Sequence, residues 1–303
     1  MSEILIRLRG LRKRFGRRTA LAGIDLDVDQ RQILGVTGPD GAGKTTLLRS
    51  LAGLLEIEAD EASVLGFDLR GDVTELKRRI GYVPQAFGLH RDLTIRENLR
   101  FTGRLHGIPE AEFERRSTEL LARTQLAPFG ARLAGALSGG MKQKLAIANA
   151  LLPAPALIIL DEPTAGVDVG ARAEIWTILE RARETALVVV STSYLDEAEQ
   201  CDRLVYLDEG RVVASGTPAE LQRQNPRELV RAWGDDPRAI ARAARGITGV
   251  VTARASARFA RIEADADGAA LVDAIRRLPG VRLVEPAPAD MESTLRHLAS
   301  TRA

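Results

Sequence analysis

Residues 38–45 of the chain read Gly38-Pro39-Asp40-Gly41-Ala42-Gly43-Lys44-Thr45. They follow a compact apolar run, Ile33 to Thr37, that predicts a buried strand. They precede residues 45–55, where leucines recur at helical spacing. Glycines allow backbone N–H groups to close around phosphate oxygens, and the N-terminal dipole of the next helix favours an anion. The spacing and the flanking elements therefore predict a P-loop, the phosphate-binding loop of many nucleotide-binding proteins.

The P-loop assigns roles to particular side chains. Lys44 would bring a positive charge to the β- and γ-phosphates, and the Thr45 hydroxyl would complete a Mg²⁺ shell. Asp40 is unusual because a carboxylate repels phosphate, so we expect its side chain to point outward. We expect the whole loop to contact the nucleotide, namely Gly38, Pro39, Asp40, Gly41, Ala42, Gly43, Lys44, Thr45 and Thr46.

A second apolar run, residues 156–160, ends in an acidic pair, Asp161 and Glu162. The run is too short for a helix and too apolar for an exposed strand, so it predicts a buried parallel strand. Asp161 would then lie beside the Mg²⁺ water shell, and Glu162 could act as the general base on the attacking water. An acidic pair after a strand is equally consistent with a solvated turn. Together with the P-loop, it predicts a phosphoryl-transfer site.

The surrounding pattern predicts an α/β fold: a P-loop NTPase core with a parallel sheet. Residues 186–190 form another buried apolar run, and an apolar stripe between the two runs predicts a crossover helix. Residues 1–35 indicate short strands with turns and hence an antiparallel β subdomain. Residues of about 86–150 are mainly helical in pattern and predict a helical subdomain. Pro109 opens one amphipathic helix there, predicted over Glu110–Leu126.

The composition shifts near residue 223, which predicts a domain boundary. We expect a nucleotide-binding domain over residues 1–222, a linker at 222–226, and a small accessory domain over 226–303. The second domain is predicted as strand 228–233, helix 237–245, strand 249–255, strand 258–264, helix 269–278 and strand 281–285. That order is typical of a ferredoxin-like α+β unit.

Composition excludes some classes of function. The net charge is +2, with 45% hydrophobic and 28% charged residues, and no concentrated basic stripe favours a nucleic-acid partner. Cys201 is the single cysteine, which fits a reducing compartment. Neither a membrane-spanning run of roughly 20 apolar residues nor a signal peptide is expected. A function at a membrane would therefore require a membrane-embedded partner.

One further motif separates this chain from other P-loop proteins. The segment Leu137-Ser138-Gly139-Gly140-Met141-Lys142-Gln143 resembles the LSGGQ signature of ABC ATPases and precedes the Asp161 strand, as in that family. The resemblance implies that Ser138, Gly139 and Gly140 contact the γ-phosphate of ATP bound to a second ATPase subunit. That subunit would be either a copy of this chain or a different protein. Without the other motifs, an ordinary capped helix start would explain the segment.

Three further positions match the family. Gln85, in Tyr82-Val83-Pro84-Gln85, resembles the Q-loop glutamine that contacts Mg²⁺ and water and senses the transmembrane partner. Phe15 resembles the aromatic residue that stacks on adenine, although a core or edge aromatic is the alternative. Asp168, in Ala165-Gly166-Val167-Asp168, belongs to a segment that resembles the D-loop, which crosses the dimer interface.

The chain departs from the family at the switch histidine. The strand after the acidic pair ends Val190-Ser191-Thr192-Ser193-Tyr194, and Ser193 occupies the position of the histidine. Serine is shorter and cannot carry the charge. Either hydrolysis is slowed while Glu162 dominates, or this P-loop serves a weak site in an asymmetric pair. We expect reduced but real hydrolysis, with Glu162, Gln85 and Ser193 as the catalytic set.

The segment Ser191-Thr192-Ser193-Tyr194-Leu195-Asp196-Glu197-Ala198-Glu199 resembles the ATPases of ABC-2-type drug and polysaccharide exporters, in particular the first half of tandem efflux ATPases of the YbhF type. Residues 290–295 resemble the acidic-leucine helix that closes such ATPases. The resemblance implies a cytoplasmic ATPase, peripheral on the inner face of the cell membrane, whose residues 86–108 and Q-loop contact transmembrane permease subunits. The alternatives are a non-transport ABC ATPase and a nucleotide-sensing module. No Asn-Lys-x-Asp motif supports a GTPase.

Overall fold

The structure is a computed structural model that describes residues 4–86 and 88–300, with only the backbone described at 299 and 300. It divides into two compact units, residues 1–215 and residues 216–303. Within the described residues, no helix is both long and apolar enough to cross a bilayer.

The first unit is built around a sheet of mainly parallel strands. Its strands are β3 (Ile33–Thr37), β6 (Ile80–Val83), β7 (Leu157–Asp161), β8 (Leu187–Ser191), β9 (Arg203–Asp208) and β10 (Arg211–Gly216). Their order is β10-β9-β3-β8-β7-β6, with parallel pairing from β9 through to β6. The predicted α/β fold with a parallel sheet is confirmed. In this register Asp161 pairs with Ser191, so the ends of β7 and β8 lie side by side.

An antiparallel sheet lies on the same unit. It comprises β1 (Ile6–Phe15), β2 (Arg18–Val28), β4 (Glu61–Val64) and β5 (Phe67–Asp68), in the order β2-β1-β4-β5. The prediction of short strands before residue 35 is wrong for β1 and β2, which have 10 and 11 residues. The pairing of these two strands shifts register at Leu8/Leu11, Leu11/Arg12 and Lys13/Arg14. Such irregularities break the period-2 alternation, so the sequence pattern looks fragmented where the strand continues.

Helices complete the first unit: α1 (Lys44–Leu51), α2 (Thr74–Arg78), α3 (Ile95–Leu105), α4 (Glu110–Arg123), α5 (Gly139–Leu151), α6 (Val169–Ala182) and α7 (Leu195–Ala198). α1 packs into the core shared by the two sheets. α3, α4 and α5 share a separate apolar cluster, which accounts for the predicted helical subdomain. The helix predicted over Glu110–Leu126 ends at Arg123, because Gln125 takes a left-handed conformation with φ of 58°.

The second unit contains α8 (Pro218–Arg223), β11 (Glu228–Gly234), α9 (Pro237–Ala244), β12 (Val250–Ala255), β13 (Ala260–Ala264), α10 (Gly268–Arg276), β14 (Val281–Ala287) and α11 (Met291–Ser300). The strands form an antiparallel sheet in the order β12-β13-β11-β14. From β11 to β14 the elements follow the predicted ferredoxin-like sequence of strands and helices. The unit begins at Gly216, before the expected linker at 222–226, because α8 packs against α11.

Candidate nucleotide-binding site

The predicted P-loop connects β3 to α1, and its shape requires glycine at two positions. Gly43 caps α1 with φ of 107°, and a Cβ there would lie 2.6 Å from the carbonyl oxygen of Ala20. A Cβ on Gly38 would lie 2.0 Å from the carbonyl oxygen of Leu207. Both contacts are with backbone and cannot be relieved by side-chain rotation. The loop is thus shaped by its glycines to present main-chain N–H groups at the start of α1.

Lys44 is held at the centre of this loop. Its side chain is 6% exposed, and its Nζ donates to the carbonyl oxygens of Gly38, at 2.8 Å, and Pro39, at 3.2 Å. The same Nζ lies 4.0 Å from Oε1 of Glu162. A buried ammonium group is thereby fixed between the loop and the acidic pair, where it can pair with phosphate oxygens.

The end of β7 meets the start of α1 and the end of β8 at Asp161. Asp161 Oδ1 accepts from the hydroxyls of Thr45, at 3.1 Å, and Ser191, at 2.8 Å. Its Oδ2 is buried and has no hydrogen-bond partner among the residues that the structure describes. A buried carboxylate oxygen beside a threonine hydroxyl suits a hard cation with oxygen ligands. Thr45 and Asp161 therefore fit a Mg²⁺ ion.

Glu162 is the most constrained carboxylate of the site. Ser193 Oγ donates to its Oε1 at 3.0 Å, and Gln85 Nε2 donates to its Oε2 at 3.1 Å. Its backbone N–H donates to Ser191 Oγ at 2.9 Å, and its φ is 49°. A left-handed conformation is uncommon for a residue other than glycine and costs about 1–3 kcal/mol. The backbone and both carboxylate oxygens are held in one orientation, as a general base requires.

A cleft of about 620 Å³ lies beside Lys44, Thr45 and Glu162. Phe15, half exposed at the tip of the β1–β2 hairpin, lines it, and Lys13 Nζ lies 5.3 Å from its ring centroid. Asp40 is exposed at the same cleft, as is Arg18, which the sequence interpretation missed. The remaining lining residues are Ala20, Gly41, Ala42, Gly43, Lys44, Thr45, Thr46, Gln85 and Glu162. The volume is that of a small-molecule site.

The predicted signature lies apart from this cleft. Ser138 caps α5, and its Oγ accepts from the N–H of Met141 at 3.3 Å. Gly140 packs against α6 so closely that a Cβ would lie 2.7 Å from the Cβ of Ala171. Asp168 caps α6 by accepting from the N–H of Ala171 at 3.0 Å. Ser138, Gly139, Gly140 and Asp168 are not among the residues that line the P-loop cleft. The chain therefore presents a second helix N-terminus at a separate place on its surface.

Comparison with known proteins agrees with this geometry. The pattern of the ABC transporter domain matches residues 21–165. A daunorubicin resistance ATP-binding protein, DrrA3 of Streptomyces coeruleorubidus, is 40% identical over 224 residues, which are 73% of this chain and 71% of the relative. This chain belongs to the family of ABC transporter ATP-binding proteins. The probable multidrug ABC transporter ATP-binding protein YbhF of Escherichia coli K12 is 45% identical over 224 residues. Those residues are 73% of this ABC transporter ATP-binding protein and 39% of YbhF, so the chain matches less than half of that relative.

A solved structure also matches this ABC transporter ATP-binding protein. It is a dimeric ATP-binding cassette in a post-hydrolysis state with ADP and Pi bound, 27% identical, with a TM-score of 0.65. The match covers 70% of this chain and 98% of that one. The fold of this chain is therefore that of a cassette that has been solved as a dimer with hydrolysis products.

The structure brings together several of the predicted site residues and adds contacts that the sequence did not predict. Lys44, Thr45, Asp161 and Glu162 come together with Gln85, Ser193 and Phe15 at one cleft or its edge. Ser191 was not predicted, although it bridges the carboxylate of Asp161 and the backbone of Glu162. The sequence contained a signal for this contact, because each of the two buried apolar runs is followed by polar residues. Parallel strands bring such ends to the same edge of a sheet. Pairing β7 with β8 would have found it.

Proposed function

We propose that this chain is the ATP-hydrolysing subunit of an ABC exporter and works as one of a pair. The observation that supports hydrolysis is the restraint on Glu162, which is held by Ser193, Gln85 and Ser191 at the mouth of the P-loop. A nucleotide-sensing module would need the phosphate cradle but not a general base fixed at both carboxylate oxygens. The hydrogen bonds that hold Glu162 beside the P-loop therefore favour ATP hydrolysis over nucleotide sensing.

The chain's own residues account for the chemistry. The amides of the P-loop and the ammonium group of Lys44 bind the β- and γ-phosphates and offset their charge. Glu162 accepts a proton from the attacking water, while the side chains on its two oxygens keep the carboxylate aimed. Mg²⁺, held by Thr45 and Asp161 with Gln85 near the same cleft, would neutralise charge on the phosphates. Phe15 supplies an aromatic face at the rim for adenine.

The second half of the site would come from a facing subunit. Ser138, Gly139 and Gly140 open α5 at a place separate from the chain's own P-loop cleft. A helix N-terminus of this kind suits the γ-phosphate of nucleotide bound to another chain. The structural relative solved as a dimer supports the pairing of two such chains. The partner is a copy of this chain or a related ATPase subunit, with Asp168 and the D-loop at their interface.

Coupling to a membrane protein is the transport part of the proposal. Two of the curated relatives are named for multidrug or drug resistance transport, which favours an exporter of drugs, lipids or polysaccharide. Phe101 and Leu105, on α3, are 46% and 73% exposed, and they form an apolar face in the predicted permease-contacting region. Such exposed apolar residues on a helical face favour a docking surface. The chain would then sit on the cytoplasmic face of the membrane.

Phosphate release measured with and without the co-purifying membrane protein tests the proposal. We expect MgATP hydrolysis that increases when the permease is present in detergent or nanodiscs. Nucleotide binding without phosphate release in either condition would favour the sensing module. Hydrolysis that no membrane protein stimulates would favour a non-transport ABC ATPase.

A further inference from the structure

A buried carboxylate outside the catalytic set connects two loops of the site. Glu197, on α7, is 2% exposed. Its Oε2 accepts from Thr164 Oγ1 at 2.8 Å and from Thr192 Oγ1 at 2.6 Å. Both hydroxyl donors are buried as well. A single oxygen atom therefore holds two loops that are distant in sequence.

The two threonines flank the catalytic and interface residues. Thr164 follows Glu162 closely and directly precedes the D-loop, residues 165–168. Thr192 directly precedes Ser193, and its Oγ1 also accepts from the N–H of Tyr194 at 3.0 Å. The hydrogen bonds thus run from the start of the D-loop, through Glu197, to the backbone of the loop that carries Ser193.

A second contact joins the same two loops. The Arg172 guanidinium lies 3.8 Å from the ring centroid of Tyr194, and its Nε donates to the carbonyl oxygen of Val167 at 3.1 Å. Val167 belongs to the D-loop, and Tyr194 follows Ser193. A guanidinium stacked on an aromatic ring at this distance is attracted to the face of the ring. The D-loop and the Ser193 loop are therefore joined on the buried side by Glu197 and on the accessible side by Arg172.

We propose that Glu197 is a positioning residue that makes the D-loop and the Ser193 loop respond as one unit. Contact of a partner subunit with the D-loop would then set the hydrogen bond between Ser193 and Glu162. This coupling role rests on the proposed dimeric function, whereas the mechanical connection between the loops does not. Burial removes water from the Glu197 carboxylate, which is unfavourable unless other hydrogen bonds replace that water. The hydroxyls of Thr164 and Thr192 supply those bonds. An apolar residue of similar size would leave both threonine hydroxyls without their acceptor.

Hydrogen exchange in the full-length, nucleotide-free chain tests the connection. Thr192→Val and Thr164→Val remove one hydroxyl each and nearly preserve shape. Thr192→Val should speed exchange of the Ala165 and Val167 amides, which donate to the carbonyl oxygens of Glu162 and Thr164 and do not contact Thr192. Thr164→Val should likewise speed exchange at Tyr194. We expect these exchange rates to rise about ten- to a hundredfold, as for loss of a hydrogen bond to a charged acceptor.

Matched variants separate coupling from general loosening. Thr192→Ser and Thr164→Ser keep the hydroxyl and should restore wild-type exchange. Asp196→Asn changes an exposed carboxylate on the same helix and should leave both loops unchanged. Exchange that rises only in the loop carrying each substitution would overturn the proposal.

Turnover provides the second readout. Glu197→Leu should lower kcat for ATP about tenfold or more while KM changes less than about twofold, since the nucleotide contacts remain intact. Glu197→Gln keeps an acceptor oxygen for both hydroxyls and should retain most of the activity. The double variant of Thr164→Val and Thr192→Val should lose less than the product of the single losses. Multiplicative losses would overturn the coupling.

The two readouts fail separately. If the wild-type chain shows no hydrolysis in any condition, the proposed function fails. The hydrogen-exchange rates of the amides in the two loops still decide whether Glu197 joins those loops. If hydrolysis is normal and Glu197→Leu matches wild type, the inference fails and the ATPase assignment stands.

Discussion

Ser193 Oγ lies 3.0 Å from Oε1 of Glu162 and donates a hydrogen bond to it. In the family that this chain belongs to, we expected a histidine at the position of Ser193. The serine here is bonded to the carboxylate that we propose as the general base, while Gln85 holds the opposite oxygen at 3.1 Å. The serine hydroxyl can orient the carboxylate. The side chain is too short to reach as far as an imidazole, and it cannot carry a positive charge to the γ-phosphate.

Ser193→His should therefore raise turnover. An imidazole reaches further and can carry charge toward the transferred phosphate, and a full catalytic contact of this kind contributes about 10²–10⁴-fold. We expect an increase of about tenfold in phosphate release by the assembled complex. Ser193→Ala serves as the control and should lower the rate, because Glu162 loses one orienting donor. Unchanged rates in the histidine variant would show that the serine does not limit hydrolysis.

Glu162→Gln should abolish hydrolysis while nucleotide binding is retained. Glutamine preserves the shape and the hydrogen bond from Ser193 but cannot accept the proton of the attacking water. A loss of about 10²-fold or more in kcat is expected, with the Kd for ATP close to that of the wild type. Phosphate release and calorimetric titration with MgATP measure the two quantities. Persistent turnover would exclude Glu162 as the base.

Ser191→Ala tests a contact that the sequence did not reveal. The hydroxyl donates to Asp161 and accepts from the N–H of Glu162, so its loss leaves a buried carboxylate and a backbone N–H each short of a partner. We expect destabilisation of about 1–3 kcal/mol and a several-fold fall in kcat. Thermal unfolding and steady-state kinetics measure these effects. Ser191→Thr keeps the hydroxyl, and equal losses in both variants would point to packing instead of hydrogen bonding.

Phe15→Ala should weaken nucleotide binding without changing the chemical step. An aromatic ring that stacks on a base contributes about 1–3 kcal/mol, so the Kd for ATP should rise at least about fivefold. Phe15→Tyr keeps the ring and should bind as the wild type does. Equal Kd values for the alanine variant and the wild type would show that Phe15 is an edge aromatic residue that does not contact the nucleotide.

The sequence predicted the parts of the site that local chemistry dictates. Gly38 and Gly43 must be glycine because backbone oxygens occupy the space of a side chain, so the P-loop is visible in a few residues. The Asp161 strand is equally visible as a short, fully apolar run. In the second unit, alternating strands and helices of ordinary length made the order of elements readable.

The rest depended on contacts between distant segments. Ser191 reaches Asp161 only because β7 pairs with β8, and Glu197 reaches Thr164 and Thr192 only because the fold brings α7 beside both loops. The register shifts between β1 and β2 interrupt the alternation of apolar and polar residues, so the sequence pattern did not predict the full length of these strands. The start of the second unit depends on the packing of α8 on α11, a contact between segments that are distant in the sequence.

The most direct test of the central claim, a nucleotide shared between two chains, is the mass of the Glu162→Gln variant in saturating MgATP. Light scattering after gel filtration should show a dimer that dissociates with MgADP, formed with itself or with the ATPase subunit that co-purifies with it. Ser138→Arg in the same background should still bind ATP but remain a monomer. A Glu162→Gln variant that stays monomeric with MgATP bound, alone and with that subunit, would contradict the shared site.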